Sequence, residues 1–364
     1  MEVSKSAWIV NSILTPLGLL YPFQYGKGII YPFGVGYCPM LADRSFHNLY
    51  SGVKTIVPRQ FIKTLITNAT SGNKFAICFF LIMAKNDKQW SSATPGLLII
   101  LVDKSGSMML KYKNEPVSRT EFATRVINRV INDIIKKNFN GKEPKNRCFI
   151  SVISYCAEVK EECSGFLTDL YKSPKRIETV TKKVSDGAGS LVDKIVKMPI
   201  WVEPTDTDTW TDMRGAFVMA KKLVESWMAD KPDNPAPVII NISDGVPYYD
   251  HKSNSVCVEE TKAVANEIMN ISNSDGNVLI FNAEIGDTSK EIITPCDDND
   301  VKNGGQGAEF LYEISSVIPE GYIDAAHKNE LPVKPNSRGC VFSADAVSLI
   351  KLIDFGSSKG LGDK

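Results

Sequence analysis

The fold of this chain is decided by residues 96–107, which read GLLIILVDKSGS. Residues 97–102 are six consecutive apolar side chains, preceded by a Pro-Gly pair and followed by a polar turn. An apolar run of this length is too short for a stable isolated helix and is typical of a strand that is buried on both faces. Such strands occupy the middle of parallel sheets, so we expect a buried central strand here.

Three oxygen-bearing side chains, Asp103, Ser105 and Ser107, stand at alternate positions where this strand ends. Ligands of open α/β sheets bind at the carboxyl ends of the strands. One carboxylate and two hydroxyls at such a place suit Mg²⁺ or another hard divalent ion. The pattern by itself also fits a solvated turn, because Asp, Ser and Gly are ordinary turn residues.

Two later stretches make the metal interpretation more specific. Thr211 opens a helical pattern, and Asp244 directly follows the apolar run of residues 238–242. The chain thus has Asp-x-Ser-x-Ser, then Thr, then Asp, each where a strand gives way to a helix. This order resembles the metal-ion-dependent adhesion site of the von Willebrand factor A family, and the resemblance extends over roughly residues 93–356.

The resemblance implies both a fold and a binding site. The fold is a doubly wound, mostly parallel central sheet flanked by helices, with one antiparallel edge strand. The site would bind Mg²⁺ or Mn²⁺ through five residues: Asp103, Ser105, Ser107, Thr211 and Asp244. In this family an acidic side chain of a partner protein completes the coordination of the ion. The rim that sets specificity would comprise Lys104, Met108, Trp210, Asp212, Tyr248 and Tyr249.

Strand and helix patterns alternate along the rest of residues 83–364, as an α/β fold requires. Ser118 and Glu121 have the spacing of a capping box and predict the start of a helix. Strands are expected at residues 147–155, 157–167 (the edge strand), 238–242 and 277–283. Helices are expected at residues 118–135, 211–227, 255–271, 309–327 and 343–355, and a surface loop at 297–307. The lysine-rich residues 174–198, inside an insertion at 168–205, are also predicted to be helical.

Residues 1–82 form an atypical N-terminal segment. They carry two acidic and seven basic side chains, whereas residues 83–364 carry 40 acidic and 35 basic ones. The segment has no sustained helical or strand period, and its apolar runs are too short to cross a bilayer as a helix. We expect Met83 to be the native start and residues 1–82 to be an upstream extension, with a genuine extension as the alternative.

Overall composition narrows the class of partner. The chain is 43% hydrophobic and 23% charged, and its formal net charge is zero. A neutral chain gives no electrostatic reason to expect nucleic acid or an anionic membrane as partner. The eight cysteines include no C-x-x-C pair, which favours buried free thiols in a reducing cytoplasm.

The residues assemble no activated nucleophile and no acid–base pair, which favours a binding role over catalysis. Two alternatives stay open: a metal-dependent hydrolase that uses the same ion, and the adhesion subunit of a chelatase-like AAA⁺ complex whose ATPase is a separate chain.

The polar start at Met83 and the Asp-Lys-Ser-Gly-Ser turn resemble the intracellular bacterial branch of the family, similar to TerY-type proteins. That resemblance implies a regulatory or scaffold component of a bacterial stress-response or signalling system. Its partner would be a kinase or phosphatase of the same system.

Overall fold

The computed structural model describes residues 85–185, 191–205, 209–286, 290–302 and 307–360, together with 29–31 and 34–36. The chain forms two units, Met1–Leu81 and Ile82–Lys364. The described residues of the first unit form one antiparallel pair, β1 (Ile29–Tyr31) with β2 (Gly34–Gly36). The start expected at Met83 lies outside the described residues.

The second unit contains the remaining strands and all the helices that the structure describes. The strands are β3 (Gly96–Asp103), β4 (Phe139–Asn140), β5 (Glu143–Pro144), β6 (Cys148–Tyr155), β7 (Val159–Phe166), β8 (Arg176–Ser185), β9 (Leu191–Ile200), β10 (Val238–Ser243), β11 (Leu279–Glu284), β12 (Ile292–Ile293) and β13 (Cys340–Phe342). The helices are α1 (Arg119–Lys137), α2 (Leu167–Lys172), α3 (Met213–Asp230), α4 (Asn254–Met269), α5 (Asp298–Val301), α6 (Ala308–Glu313), α7 (Ile323–Lys328) and α8 (Ala346–Gly356).

Seven strands form one sheet in the order β12-β13-β11-β10-β3-β6-β7. The five inner strands are parallel, whereas β7 is antiparallel to β6 and β12 is antiparallel to β13. The predicted doubly wound α/β fold and its antiparallel edge strand are therefore confirmed, and β12 adds a second antiparallel edge. Strand order reverses between β3 and β10, and a reversal of this kind is where open α/β sheets bind their ligands.

Strand β3 is buried along its whole length, which explains its uninterrupted apolar sequence. Leu98, Ile100 and Val102 pack into the core cluster that contains the apolar faces of α1 and α8. Leu97 and Leu101, with Ile99 between them, pack into the cluster of α3, α4 and α6 on the opposite face. Burying each such side chain contributes roughly 1.5 to 3 kcal/mol relative to its exposure.

One polar row crosses the sheet inside this apolar core. The Tyr155 hydroxyl donates to Asn241 Oδ1 at 2.8 Å, and Asn241 Nδ2 donates to Asn282 Oδ1 at 3.0 Å. Asn282 Nδ2 in turn donates to the Ser315 hydroxyl at 2.8 Å. All four residues are fully buried, so these bonds compensate for the loss of water around their polar groups.

Helix α1 begins as its sequence predicts. The Ser118 hydroxyl accepts the N–H of Glu121 at 3.2 Å, and Glu121 Oε2 accepts the N–H of Ser118 at 2.9 Å. This capping box satisfies two N–H groups that the first turn of a helix would otherwise leave unpaired. It also fixes Arg119 as the first helical residue, beside the carboxyl ends of the strands.

The helix predicted for residues 174–198 is wrong. Residues 176–185 and 191–200 form the antiparallel β8–β9 hairpin, in which the pairing runs from Arg176 with Ile200 to Ser185 with Leu191. The lysine content favours a helix, but Val and Ile recur along both strands and Thr along β8, and β-branched side chains prefer extended backbone.

The single helix predicted for residues 309–327 is also corrected. The structure has two short helices, α6 and α7, because Pro319 lies between them and cannot continue a hydrogen-bonded helix. The loop predicted at residues 297–307 contains the single turn α5, and its residues 303–306 are not described. No helix in the described part of the chain combines the length and the apolar character needed to cross a bilayer.

Candidate metal centre

The candidate site lies where β3 and β10 end, at the reversal of strand order. Asp103 is the last residue of β3 and is fully buried. Its Oδ1 accepts the N–H of Ser105 at 2.8 Å, and its Oδ2 accepts the hydroxyl of Ser243 at 2.8 Å. Because a carboxylate offers about four acceptor positions, both oxygens of Asp103 keep capacity for a further ligand.

A chain of side-chain oxygens connects the two strand ends. The hydroxyls of Ser105 and Ser107 lie 3.2 Å apart, and the Ser107 hydroxyl donates to Asp244 Oδ1 at 2.9 Å. Ser107 and Asp244 are 137 residues apart in the sequence. The structure therefore brings together four of the five predicted ligands, since Asp103 is anchored to Ser105.

Thr211, the fifth predicted ligand, lies beside both loops. Its N–H donates to the carbonyl of Tyr248 at 2.7 Å, and its carbonyl accepts the N–H of Tyr248 at 3.1 Å. Two residues earlier, the carbonyl of Thr209 accepts the N–H of Gly106 at 2.8 Å. The segment that leads into α3 is thus held against the loop after β3 and the loop after β10.

The centre carries an unfavourable concentration of negative charge. Burial, together with the nearby charge of Asp244, raises the pKa of Asp103 to about 7. Glu284 ends the neighbouring strand β11, and burial likewise raises its pKa. Its carboxylate accepts the N–H groups of Gly286 at 2.6 Å and of Ser343 at 2.7 Å. Acidic groups at the ends of three adjacent strands favour the approach of a cation.

Arg119 is a member of the centre that sequence reasoning missed. Its Nη1 donates to Asp244 Oδ2 at 2.7 Å, and the two side chains are 10% and 6% exposed. The capping box at Ser118 predicted where its helix begins. No local pattern indicated which carboxylate it meets, because 125 residues separate the pair.

The chemistry of these residues fits a hard divalent ion. Two carboxylates and three hydroxyls form an all-oxygen donor set, which Mg²⁺ and Mn²⁺ prefer. The mutual repulsion of Asp103 and Asp244 is the kind of stress that a cation relieves.

A second group of potential ligands lies elsewhere on the surface. Cys296, Asp297 and Asp300 place one ligand atom each within 4.8 Å of one another. Their contacts are those of a helix cap: Asp297 Oδ1 accepts the N–H of Asp300 at 3.1 Å, and Asp300 Oδ2 accepts the N–H of Cys296 at 2.9 Å. Capping of α5 accounts for this group.

The structure corrects half of the predicted rim. Three of the six residues are buried: Lys104, Met108 and Tyr249. Met108 lies in a 3-10 turn that directs it into the core, and the Tyr249 hydroxyl donates to Glu260 at 2.7 Å. Three keep solvent exposure: Trp210, Asp212 and Tyr248. The Asp212 carboxylate also caps α3 by accepting the N–H of Gly215 at 2.8 Å.

The chain was compared with known proteins. No protein-family model matches it, and no curated protein matches it. Among solved structures, the conserved hypothetical protein BatB from Bacteroides thetaiotaomicron is 16% identical, with a TM-score of 0.28, over 52% of this chain and 66% of that one. The ArnB paralog VWA2 from Sulfolobus acidocaldarius is 16% identical, with a TM-score of 0.28, over 54% and 35%.

The PilB minor pilin from Streptococcus sanguinis is 9% identical, with a TM-score of 0.39, over 73% of this chain and 61% of the pilin. This chain thus spans less than two thirds of the length of each solved chain that it matches here, down to about a third for VWA2. At such TM-scores these matches carry no argument about function.

Proposed function

We propose that this protein is a metal-dependent protein-binding module of the von Willebrand factor A type. Mg²⁺ or Mn²⁺ would be held by five residues: Asp103, Ser105, Ser107, Thr211 and Asp244. The observation that carries the proposal is the contact between Ser107 and Asp244, which joins the ends of β3 and β10 at 2.9 Å where strand order reverses. A bound divalent ion would offer a positive position to a carboxylate of the partner.

The residues of the chain divide this work between charge and position. Asp103 and Asp244 supply the negative charge that attracts a cation. Ser105, Ser107 and Thr211 supply neutral oxygens, so the loaded site would keep more positive charge for an anionic partner than a site of carboxylates alone. Ser243 and the N–H of Ser105 hold Asp103 in one orientation, which reduces the entropy lost when a ligand binds.

Binding is favoured over hydrolysis for a chemical reason. A metal-dependent hydrolase needs a positioned base to deprotonate water. Both carboxylates nearest the site are engaged: Asp103 accepts from Ser105 and Ser243, and Asp244 accepts from Ser107 and Arg119. Phosphatase, protease and nucleotide-hydrolysis assays of the purified chain with Mg²⁺ should therefore stay at background.

The biological setting is a further part of this proposal, and it rests on the resemblance to TerY-type proteins. We place the protein in the bacterial cytoplasm as a regulatory or scaffold component of a stress-response system. A kinase or phosphatase of that system would present the acidic residue. The six cysteines in the described residues are free, which fits a reducing compartment.

Calorimetric titration with Mn²⁺ at pH 8, above the pKa of Asp103, tests the metal site. Asp103→Ala and Asp244→Ala should each lose Mn²⁺ binding, because each removes one of only two carboxylates in the donor set. Asp300→Ala is the matched control, since it removes a carboxylate from the cap of α5. Unchanged affinity in both site variants, or loss of affinity in the control, would show that the site is misplaced.

A further inference from the structure

Two buried ion pairs of nearly identical geometry lie beside the Asp-x-Ser-x-Ser loop. Lys104 Nζ lies 2.7 Å from Glu162 Oε1, and Arg119 Nη1 lies 2.7 Å from Asp244 Oδ2. In each pair the base is 10% exposed and the acid 6%. Only the second pair includes a proposed metal ligand, Asp244. Substitutions in the two pairs can therefore be compared to distinguish loss of any buried charge from loss of a charge bonded to the site.

Arg119 is held in place by its helix. Its N–H donates to the carbonyl of Leu110 at 2.9 Å, and the capping box of Ser118 and Glu121 fixes the turn on which it stands. These contacts fix the backbone of Arg119, and the burial of its side chain and of Asp244 favours the ion pair over separate solvation. By binding Oδ2, the guanidinium also leaves Oδ1 directed at the Ser107 hydroxyl, so Arg119 orients the carboxylate as well as balancing its charge.

A charge count shows what this arrangement does. Among the proposed ligands, the charges of Asp103 and Asp244 would balance a divalent ion, and an incoming carboxylate would then make the ion and its ligands anionic. Glu284 is not one of the ligands, and its carboxylate accepts the N–H groups of Gly286 and Ser343. Arg119 adds one positive charge to the ion and its ligands, so an incoming carboxylate makes that set neutral. Arg119 thus weakens binding of the divalent ion alone, and it strengthens binding of the ion together with an anion.

We infer that Arg119 is a positioning residue that couples the metal to the anionic group of the partner. It lowers the affinity of the site for the ion alone and raises the affinity of the loaded site for a carboxylate. Coupling of this kind is reciprocal, so binding of a carboxylate must also raise the affinity of the site for the ion. The inference rests on the proposed metal site and specifies how that site is regulated.

The test measures Mn²⁺ affinity of the full chain by calorimetry in chloride and in acetate at equal ionic strength, with acetate as the carboxylate probe. In the unsubstituted protein, the affinity for Mn²⁺ should be higher in acetate than in chloride. Arg119→Gln should bind Mn²⁺ in chloride at least about tenfold more tightly, because it removes a like charge close to the ion. It should also lose the acetate effect.

Two further variants distinguish charge from structure. Arg119→Lys keeps the charge and should behave like the unsubstituted protein. Lys104→Gln removes the charge of the other ion pair, whose acid is not a proposed ligand, and should change the Mn²⁺ affinity and its dependence on acetate less than Arg119→Gln does. Unfolding temperatures of the variants identify any that fail to fold.

Three results would overturn the inference. The first is an affinity of Arg119→Gln for Mn²⁺ in chloride that is equal to or weaker than that of the unsubstituted protein. The second is a change in Mn²⁺ affinity in Lys104→Gln as large as that in Arg119→Gln. The third is an unsubstituted protein whose Mn²⁺ affinity is the same in acetate and in chloride. The last measurement needs no variant, so it holds even if Arg119→Gln does not fold. If no protein in the series binds Mn²⁺ at all, the proposed metal site itself fails.

Discussion

The candidate metal centre and the β8–β9 hairpin are built in opposite ways. In the centre, side chains bond to residues more than 100 positions away, as Arg119 and Ser107 do with Asp244. In the hairpin, each strand pairs with the other, and Ile177 and Ile195 are 60% and 72% exposed. Two-stranded ribbons are marginally stable in water by themselves. Substitutions should therefore have large effects on stability or ligand binding in the centre and small effects in the hairpin.

Stabilisation by Mg²⁺ is the largest difference expected between the two regions. At a concentration about 100-fold above the dissociation constant, a ligand that binds only the folded state adds about 2.7 kcal/mol to the free energy of unfolding. Asp103→Ala should abolish this gain, because it removes a carboxylate of the donor set, and Ile195→Ala should keep it. Thermal unfolding at pH 8 with and without Mg²⁺ measures the gain, and a loss in the hairpin variant would contradict the comparison.

The polar row below the centre should give the next largest effect. Asn241→Ala removes the partner of both Tyr155 and Asn282 and leaves their buried polar groups unsatisfied. We expect a loss of about 2 kcal/mol in the free energy of unfolding, measured with urea. Asn266→Ala on the exposed side of α4 is the control and should stay within about 0.5 kcal/mol. Equal losses in the two variants would show that the row is not structural.

Glu162 contacts both regions and should make the free energy of unfolding depend on pH in the acid range. It binds Lys104 beside the centre and Lys175 at the base of the hairpin. Burial opposes its ionisation, but the hydrogen bonds from both lysines outweigh burial and lower its pKa to about 2. Between pH 4.5 and pH 2 the unfolded chain therefore binds more protons at this residue than the folded one.

Stabilisation by Glu162 is accordingly complete above pH 4.5 and is lost as the pH falls through about 2. Glu162→Gln should remove about 1 to 2 kcal/mol at neutral pH and flatten this acid limb. Glu161→Gln, one residue earlier in β7, should leave the limb in place. Urea unfolding across this pH range makes the measurement, and an unchanged limb in Glu162→Gln would exclude the assigned role.

The exposed part of the hairpin should give the smallest effect. Ile195→Ala should change the free energy of unfolding by less than about 0.5 kcal/mol, because the side chain is 72% exposed. Ile200, in the same strand at the base of the hairpin, is 7% exposed, and Ile200→Ala should cost about 2 kcal/mol or more. Similar costs at both positions would show that Ile195 is covered in solution.

The same contrast explains what the sequence could predict. The proximity of Asp103, Ser105 and Asp244 is predictable because apolar strand runs end in oxygen-bearing residues there, and the ends of parallel strands meet at one edge. Ser118 and Glu121 were identified because a capping box is local. The doubly wound fold followed from the alternation of such segments.

Local sequence patterns do not predict long-range contacts or the direction in which a turn points a side chain. Arg119 meets Asp244 only because of how α1 is set against the sheet, which no nearby residue encodes. Met108 was assigned to the rim, but the 3-10 turn at Gly106–Met109 directs it inward. The lysine content of residues 174–198 favours a helix, whereas the recurrence of β-branched residues along β8 and β9 favours the extended strands that the structure has.

The polar row also determines how the strands are aligned lengthwise. Nearly every residue of β3 and β10 is apolar, so a slip of two residues would keep the same kind of side chain on each face. Tyr155 on β6 reaches across β3 to Asn241 on β10, and a slip of β10 against β3 would separate the hydroxyl from the amide inside the core. It would also displace Asp244 by about 7 Å along the strand, beyond the reach of Ser107. The bond between Tyr155 and Asn241, which spans β3, therefore keeps the two halves of the proposed ion site aligned with each other.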